Sequence, residues 1–164
     1  MLLKLKNKEH LIIDEFKFKC SIGKKGLKSK KTEGDHCTPV GKFKFESLLF
    51  RKDRIKNLIA RIPKKTIKKN MGWCDDPKSK KYNKLIKFPF SGKAEKLFLS
   101  KRSYDLLLVI DYNRRTIVPH KGSAIFLHLA DKKLSPTEGC IAIKKKDFLE
   151  ILPMINKKTK IIIK

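Results

Sequence analysis

The chain has 164 residues, with 42 Lys and Arg against 16 Asp and Glu and a formal net charge of +26. Hydrophobic residues make up 40%, enough to build a core, which excludes a disordered polybasic tail as the whole molecule. The length suits one domain spanning residues 1–164, and the longest apolar runs (Leu106–Ile110, Ala124–Leu127, Ile161–Ile163) fall far short of the roughly 20 residues of a membrane-spanning helix.

Residues Leu2–Asn7 and His10–Asp14 read as two short strands joined by a turn. Phe16, Phe18 and Cys20 alternate with Lys17 and Lys19, the period of a half-buried strand. Gly23–Gly41 reads as a long Lys-rich loop, of a length that in compact domains is usually functional or mobile. Lys42–Phe50 resumes the alternation as a further strand. Ile55, Leu58, Ile59 and Ile62 have helical spacing, cut by Pro63. Gly72–Asn83 is turn-rich and carries the only Trp, and residues 52–100 read as an insertion within the domain. Ala94–Ser100 is expected to form a short helix. Tyr104–Tyr112 reads as a strongly apolar strand, and Asn113–Arg115 turns the chain into Thr116–Val118. Ala124–Leu129, apolar almost throughout, reads as a central strand, Cys140–Ile143 as a short one, and Lys160–Ile163 as the last. Asp147 is expected to cap a short helix, Phe148–Ile155, kinked or cut by Pro153. Many short strands with one or two short helices predict a mostly-β sandwich or barrel.

The opening residues alternate apolar and charged, unlike a secretory signal with its uninterrupted apolar core. A cytoplasmic or mature form is the expectation from that segment. The Lys clusters are spread along the chain instead of gathered with aromatics, so a solvated surface is favoured over a dedicated polyanion site. Weak, salt-sensitive association with anionic polymers is expected either way. Cys20, Cys37, Cys74 and Cys140 form no CxxC pair, which argues against zinc and for free thiols. No metal or cofactor is expected, and a monomer is.

The chemistry concentrates in Gly122–Ile143, GSAIFLHLADKKLSPTEGCIAI. Cys140 follows Gly139 and opens an apolar run, twelve residues after His128 in another. A thiol needs a nearby imidazole to become a nucleophile at neutral pH. Gly139 permits a tight turn beside the sulfur, where main-chain N–H groups can face an oxyanion. Two strands joined by a loop of this length can pair side by side and bring His128 to Cys140. From these two residues alone, a buried structural Cys and a satisfied core His remain the alternative.

The segment resembles the catalytic motif of the L,D-transpeptidase (YkuD-like) family, a strand ending in His, a loop, and then Ser/Thr-x-Gly-Cys before an apolar residue. His128 and Thr137-Glu138-Gly139-Cys140-Ile141 match it. A second family block, Thr-Pro-x-Gly-x-Phe after a Gly-rich stretch, is matched by Thr38-Pro39-Val40-Gly41-Lys42-Phe43. The resemblance implies a mostly-β fold, a cleft with Cys140 as acyl-accepting nucleophile and His128 as general base, and peptidoglycan stem peptides or muropeptides as substrates. It places the activity in cell-wall organisation and cell shape, at the envelope or periplasm. Gly139, Thr137, Glu138 and Ser123 are expected near the oxyanion and substrate. Trp73, Tyr82, Asn83 and His120 are weighed as cleft lining, against simple anchoring of the insertion or a surface loop. Two positions depart from the family: Glu138 stands where many members have His, and Ala142 where many have Arg. The alternatives are hydrolysis by an L,D-carboxypeptidase or amidase, and a basic polyanion-binding module with a degenerate site.

Overall fold

In the computed structural model, which describes all 164 residues, the alternating N-terminal residues form β1 (Leu2–Lys6), β2 (His10–Ile13) and β3 (Phe16–Ser21). Their apolar members, such as Leu3, Leu11 and Phe18, point into one core while the lysines face water. Next come β4 (Leu27–Lys28), β5 (Thr38–Pro39) and the long β6 (Gly41–Phe50). Residues 52–100 contribute β7 (Lys64–Thr66), β8 (Met71–Cys74), β9 (Leu85–Lys87) and β10 (Ala94–Lys96). The chain then runs through β11 (Leu106–Ile110), β12 (Phe126–Leu129), β13 (Ile141–Ile143), helix α1 (Lys145–Ile151), a 3₁₀ turn (Leu152–Met154) and β14 (Lys160–Ile163).

The main sheet runs β11-β12-β13-β3-β2-β1-β14-β6-β7, and β6 also pairs with β11, so the sheet closes into a barrel. The length of β6 makes closure possible. Its first half pairs with β14 and its second half with β11. A separate sheet of order β10-β8-β9 packs outside.

Two cores result. Leu106, Leu108 and Ile110 on β11, with Leu127 and Leu129 on β12, point into the barrel. Leu107, Val109 and Phe126, on the opposite face, join Trp73, Leu97 and Cys140 in a smaller core under the outer sheet. Burial on both faces explains why β11 and β12 read as continuous apolar runs.

Three local expectations need correction. Ala94–Ser100 forms no helix. Its first residues are strand β10, with Glu95 opposite Trp73 of β8, so cross-strand pairing overrides local propensity. Residues 55–62 run as irregular chain with isolated bends, and Ile55 and Ile62 are buried in the barrel core without a helix. Helix α1 starts at Lys145, after Lys144, so Asp147 lies in its first turn, where a carboxylate still complements the positive helix end. No helix is long and apolar enough to cross a membrane.

Candidate active site

β12 and β13 lie side by side in parallel, with His128 opposite Ala142. Side chains two apart on a strand share a face, so Phe126 and His128 point the same way, toward the smaller core. Cys140 precedes β13 on that face, and its sulfur receives the Phe126 N–H at 3.4 Å. The thiol donates to the Ala124 carbonyl at 3.1 Å. Cys140 is 8% exposed and His128 9%. The four cysteines are all free thiols.

The His128 ring is held at Nδ1, 3.0 Å from the Leu129 carbonyl. A carbonyl only accepts, so Nδ1 carries the proton and the neutral ring keeps its lone pair on Nε2. The Tyr104 ring packs edge-on against the imidazole at 5.4 Å and against Phe126 at 6.2 Å. Burial lowers the His128 pKa, partly offset by the Leu129 contact. Burial, then the charge of Glu95, pushes the Cys140 thiol up to about 12, against smaller opposing effects of the Phe126 N–H and Lys31. The resting pair is therefore neutral thiol and neutral imidazole.

The loop before the cysteine is tied on both sides. Thr137 bridges to Gly23, donating its N–H to the Ile22 carbonyl at 2.8 Å and accepting the Lys24 N–H at 2.9 Å. The Thr137 hydroxyl donates to the Cys140 carbonyl at 2.6 Å and accepts the Gly139 N–H at 3.2 Å. Gly139 has φ +139°, and a Cβ there would lie 2.9 Å from the Cys37 carbonyl oxygen, so only glycine fits. The Cys140 N–H makes no hydrogen bond within the protein.

Glu138 is exposed and pairs with Lys24 at 3.0 Å and with His36, and the Lys24 hydrogen bond lowers its carboxyl pKa. Ser123 is buried, and its hydroxyl has no partner. Trp73 is buried edge-on to Phe126 at 5.0 Å. Tyr82 is buried, donating its hydroxyl to Glu33 and accepting the Gly122 N–H at 3.0 Å. Asn83 Oδ1 accepts the Trp73 indole N–H at 2.9 Å and the Ala124 N–H at 3.1 Å. It thereby links the outer sheet to the residue whose carbonyl holds the thiol. His120 is exposed at φ +63°.

Several neighbours of the site escaped the sequence reading. Thr38 is fully buried; its hydroxyl donates to the Gly139 carbonyl at 2.9 Å and accepts the Gly23 N–H at 2.9 Å. Its place in the Thr-Pro block was the available signal. Lys31 is 5% exposed, pairs with Asp35 at 2.8 Å and lies along Gly122. Tyr104 donates to Glu95 Oε1 at 2.5 Å. No local pattern marks either pair.

A cysteine, an oriented imidazole and a glycine-cornered loop form a unit suited to acyl transfer. The family model of the YkuD L,D-transpeptidase catalytic domain matches residues 3–163. The chain belongs to this family. The closed, mostly-β barrel with one short helix agrees with that fold, and the family acts on peptidoglycan. No curated protein matches the chain. Within the YkuD domain two surface hollows lie away from the thiol. One of about 700 Å³ is lined by residues 60–63 and 156–158, and a basic groove of about 520 Å³ includes Lys42, Lys44, Arg114 and Lys121.

Proposed function

We propose that this YkuD domain is a cysteine-dependent L,D-transpeptidase in which Cys140 is the nucleophile and His128 the general base. The observation that carries the reading is the fixed His128 tautomer, with Nε2 free to accept a proton, on the same sheet face as a thiol that only a base can activate. His128 Nε2 takes the thiol proton as Sγ bonds to the carbonyl carbon of a stem-peptide residue. The amide C–N bond then breaks, and the proton passes to the departing D-amino acid. An acceptor amine attacks the thioester and loses a proton to His128, and the thiolate leaves and is reprotonated. The Cys140 N–H is the oxyanion donor, kept in place by the Thr137 and Thr38 hydroxyls on the Gly139–Cys140 turn. Glu138 ties the turn to Lys24 and His36, outside the reacting centre. Ser123 lies on the segment leading into β12, and Trp73, Tyr82 and Asn83 support that segment from the outer sheet.

The test is incubation with a tetrapeptide donor and an amine acceptor, with products read by mass spectrometry. Release of the terminal D-amino acid with a cross-linked product is expected from wild type, and neither from Cys140→Ala or His128→Ala. Release without cross-linking would replace the transpeptidase by a carboxypeptidase. Turnover that survives Cys140→Ala would sink the mechanism.

A further inference from the structure

Glu33 and Glu95 are half-buried carboxylates that each accept a tyrosine hydroxyl, and Glu95 is the one whose tyrosine packs on His128. Cations outnumber acids heavily, and Asp35, Asp53, Asp105 and Glu46 each hold a Lys or Arg. Glu95, half-buried on β10, holds none. Its Oε1 accepts the Tyr104 hydroxyl at 2.5 Å, and its Oε2 has no hydrogen-bond partner in the protein and is not sealed from solvent. The Tyr104 ring lies against both His128 and Phe126, and the Phe126 N–H points at the Cys140 sulfur. One chain of contacts thus runs from the carboxylate to base and nucleophile.

We propose that Glu95, braced by Tyr104, binds a protonated primary amine carried by the acyl donor, making it a specificity-determining residue of the acyl-transfer site inferred above. The ammonium belongs to the donor because an acceptor amine must be unprotonated to attack the thioester. Burial without a counterion penalises the Glu95 carboxylate and raises its pKa, and an ammonium beside it would compensate that charge. Binding also changes the nucleophile. The Glu95 charge opposes ionisation of Cys140, so an ammonium paired with it removes that opposition when substrate arrives. The other groups that act here are the Asp75 carboxylate, which adds negative potential at Glu95, and Lys31, which favours the Cys140 thiolate. Trp73, opposite Glu95 on β8, is neutral.

The test uses two thiol reagents of similar size, cationic 2-aminoethyl methanethiosulfonate and neutral methyl methanethiosulfonate. Modification of Cys140 is followed by peptide mapping, and the cationic-to-neutral rate ratio cancels the thiolate fraction. In Glu95→Gln, which keeps an acceptor for Tyr104, the ratio is expected to fall on the order of tenfold. In Glu33→Gln, which removes the other half-buried carboxylate that accepts a tyrosine hydroxyl, it should hold. An equal ratio in wild type and Glu95→Gln, or an equal fall in Glu33→Gln, would overturn the assignment. A second arm needs no variant. Nα-acetyl-lysine methylamide should slow modification of wild-type Cys140 by the neutral reagent several-fold, and its Nε-acetylated form should not. Equal effects of the two would also overturn it. A cation preference without stem-peptide turnover would count against the transpeptidase reading alone. Equal turnover of donors with free and acetylated side-chain amines would count against Glu95 alone.

Discussion

Asn83 offers a sharp test of how the outer sheet supports the nucleophile. Its amide is 1% exposed and makes four hydrogen bonds. Oδ1 accepts from the Trp73 indole at 2.9 Å and the Ala124 N–H at 3.1 Å, and Nδ2 donates to the Tyr112 and Asn113 carbonyls at 3.2 and 2.7 Å. Asn83→Ala leaves two buried donors and two carbonyls without these partners. A net hydrogen bond contributes about 1 kcal/mol, and a stranded buried group costs about 1–3 kcal/mol, so the loss is about 4 kcal/mol. At roughly 2–4 °C per kcal/mol for a chain of this size, Tm should fall by about 8–16 °C. The positive φ of Asn83, +54°, adds strain with Ala. Calorimetry and urea unfolding measure the change. The midpoint should drop with an unchanged m-value. Activity per folded molecule should also fall, because the Ala124 carbonyl that receives the thiol loses its anchor. A Tm within 2 °C of wild type would refute the reasoning.

Two further outcomes follow from the charges. Because burial and Glu95 hold the Cys140 thiol up to about 12, its alkylation by iodoacetamide without substrate should climb steadily from pH 7 to pH 10. Mapping of the modified peptides that found a plateau below pH 9 would show an activated resting thiolate instead. Burial raises the Asp35 carboxyl, but the hydrogen bonds from Lys31 and from the Thr32 and Cys37 N–H groups outweigh it and bring the pKa to about 2. With the folded value below the unfolded one of about 3.9, this stabilisation is present above about pH 4 and fades as pH falls toward 2. Asp35→Asn should lower stability at pH 6 and flatten the acid limb of a Tm–pH curve, and an unchanged limb would exclude the Lys31–Asp35 pair as its source.

The barrel was legible where a strand has one wet face. Alternation marks β1 to β3 and β6 because lysines face water and Leu, Ile and Phe face the core. It was legible in β11 and β12 for the opposite reason, since both of their faces are covered. The side-by-side pairing of the strands carrying His128 and Cys140 followed from their apolar runs and the length of the loop between them. Residues 94–96 were misread because a three-residue strand holds little information of its own, and its pairing with β8 decides its conformation. The Glu95–Tyr104 pair was hidden for a related reason. Nine residues and a change of sheet separate them, and only the packing of Tyr104 on His128 gives the pair meaning. The supporting roles of Thr38 and Asn83 likewise depend on hydrogen bonds that span the fold.

The central claim is that Cys140 is the acyl-accepting nucleophile. Its most direct test is intact-protein mass spectrometry after incubation with a carbapenem, a β-lactam class that acylates many members of this family. Wild type should gain the mass of one acyl adduct, and Cys140→Ala should gain none. An unmodified wild type, or an adduct that persists in Cys140→Ala, would contradict the account.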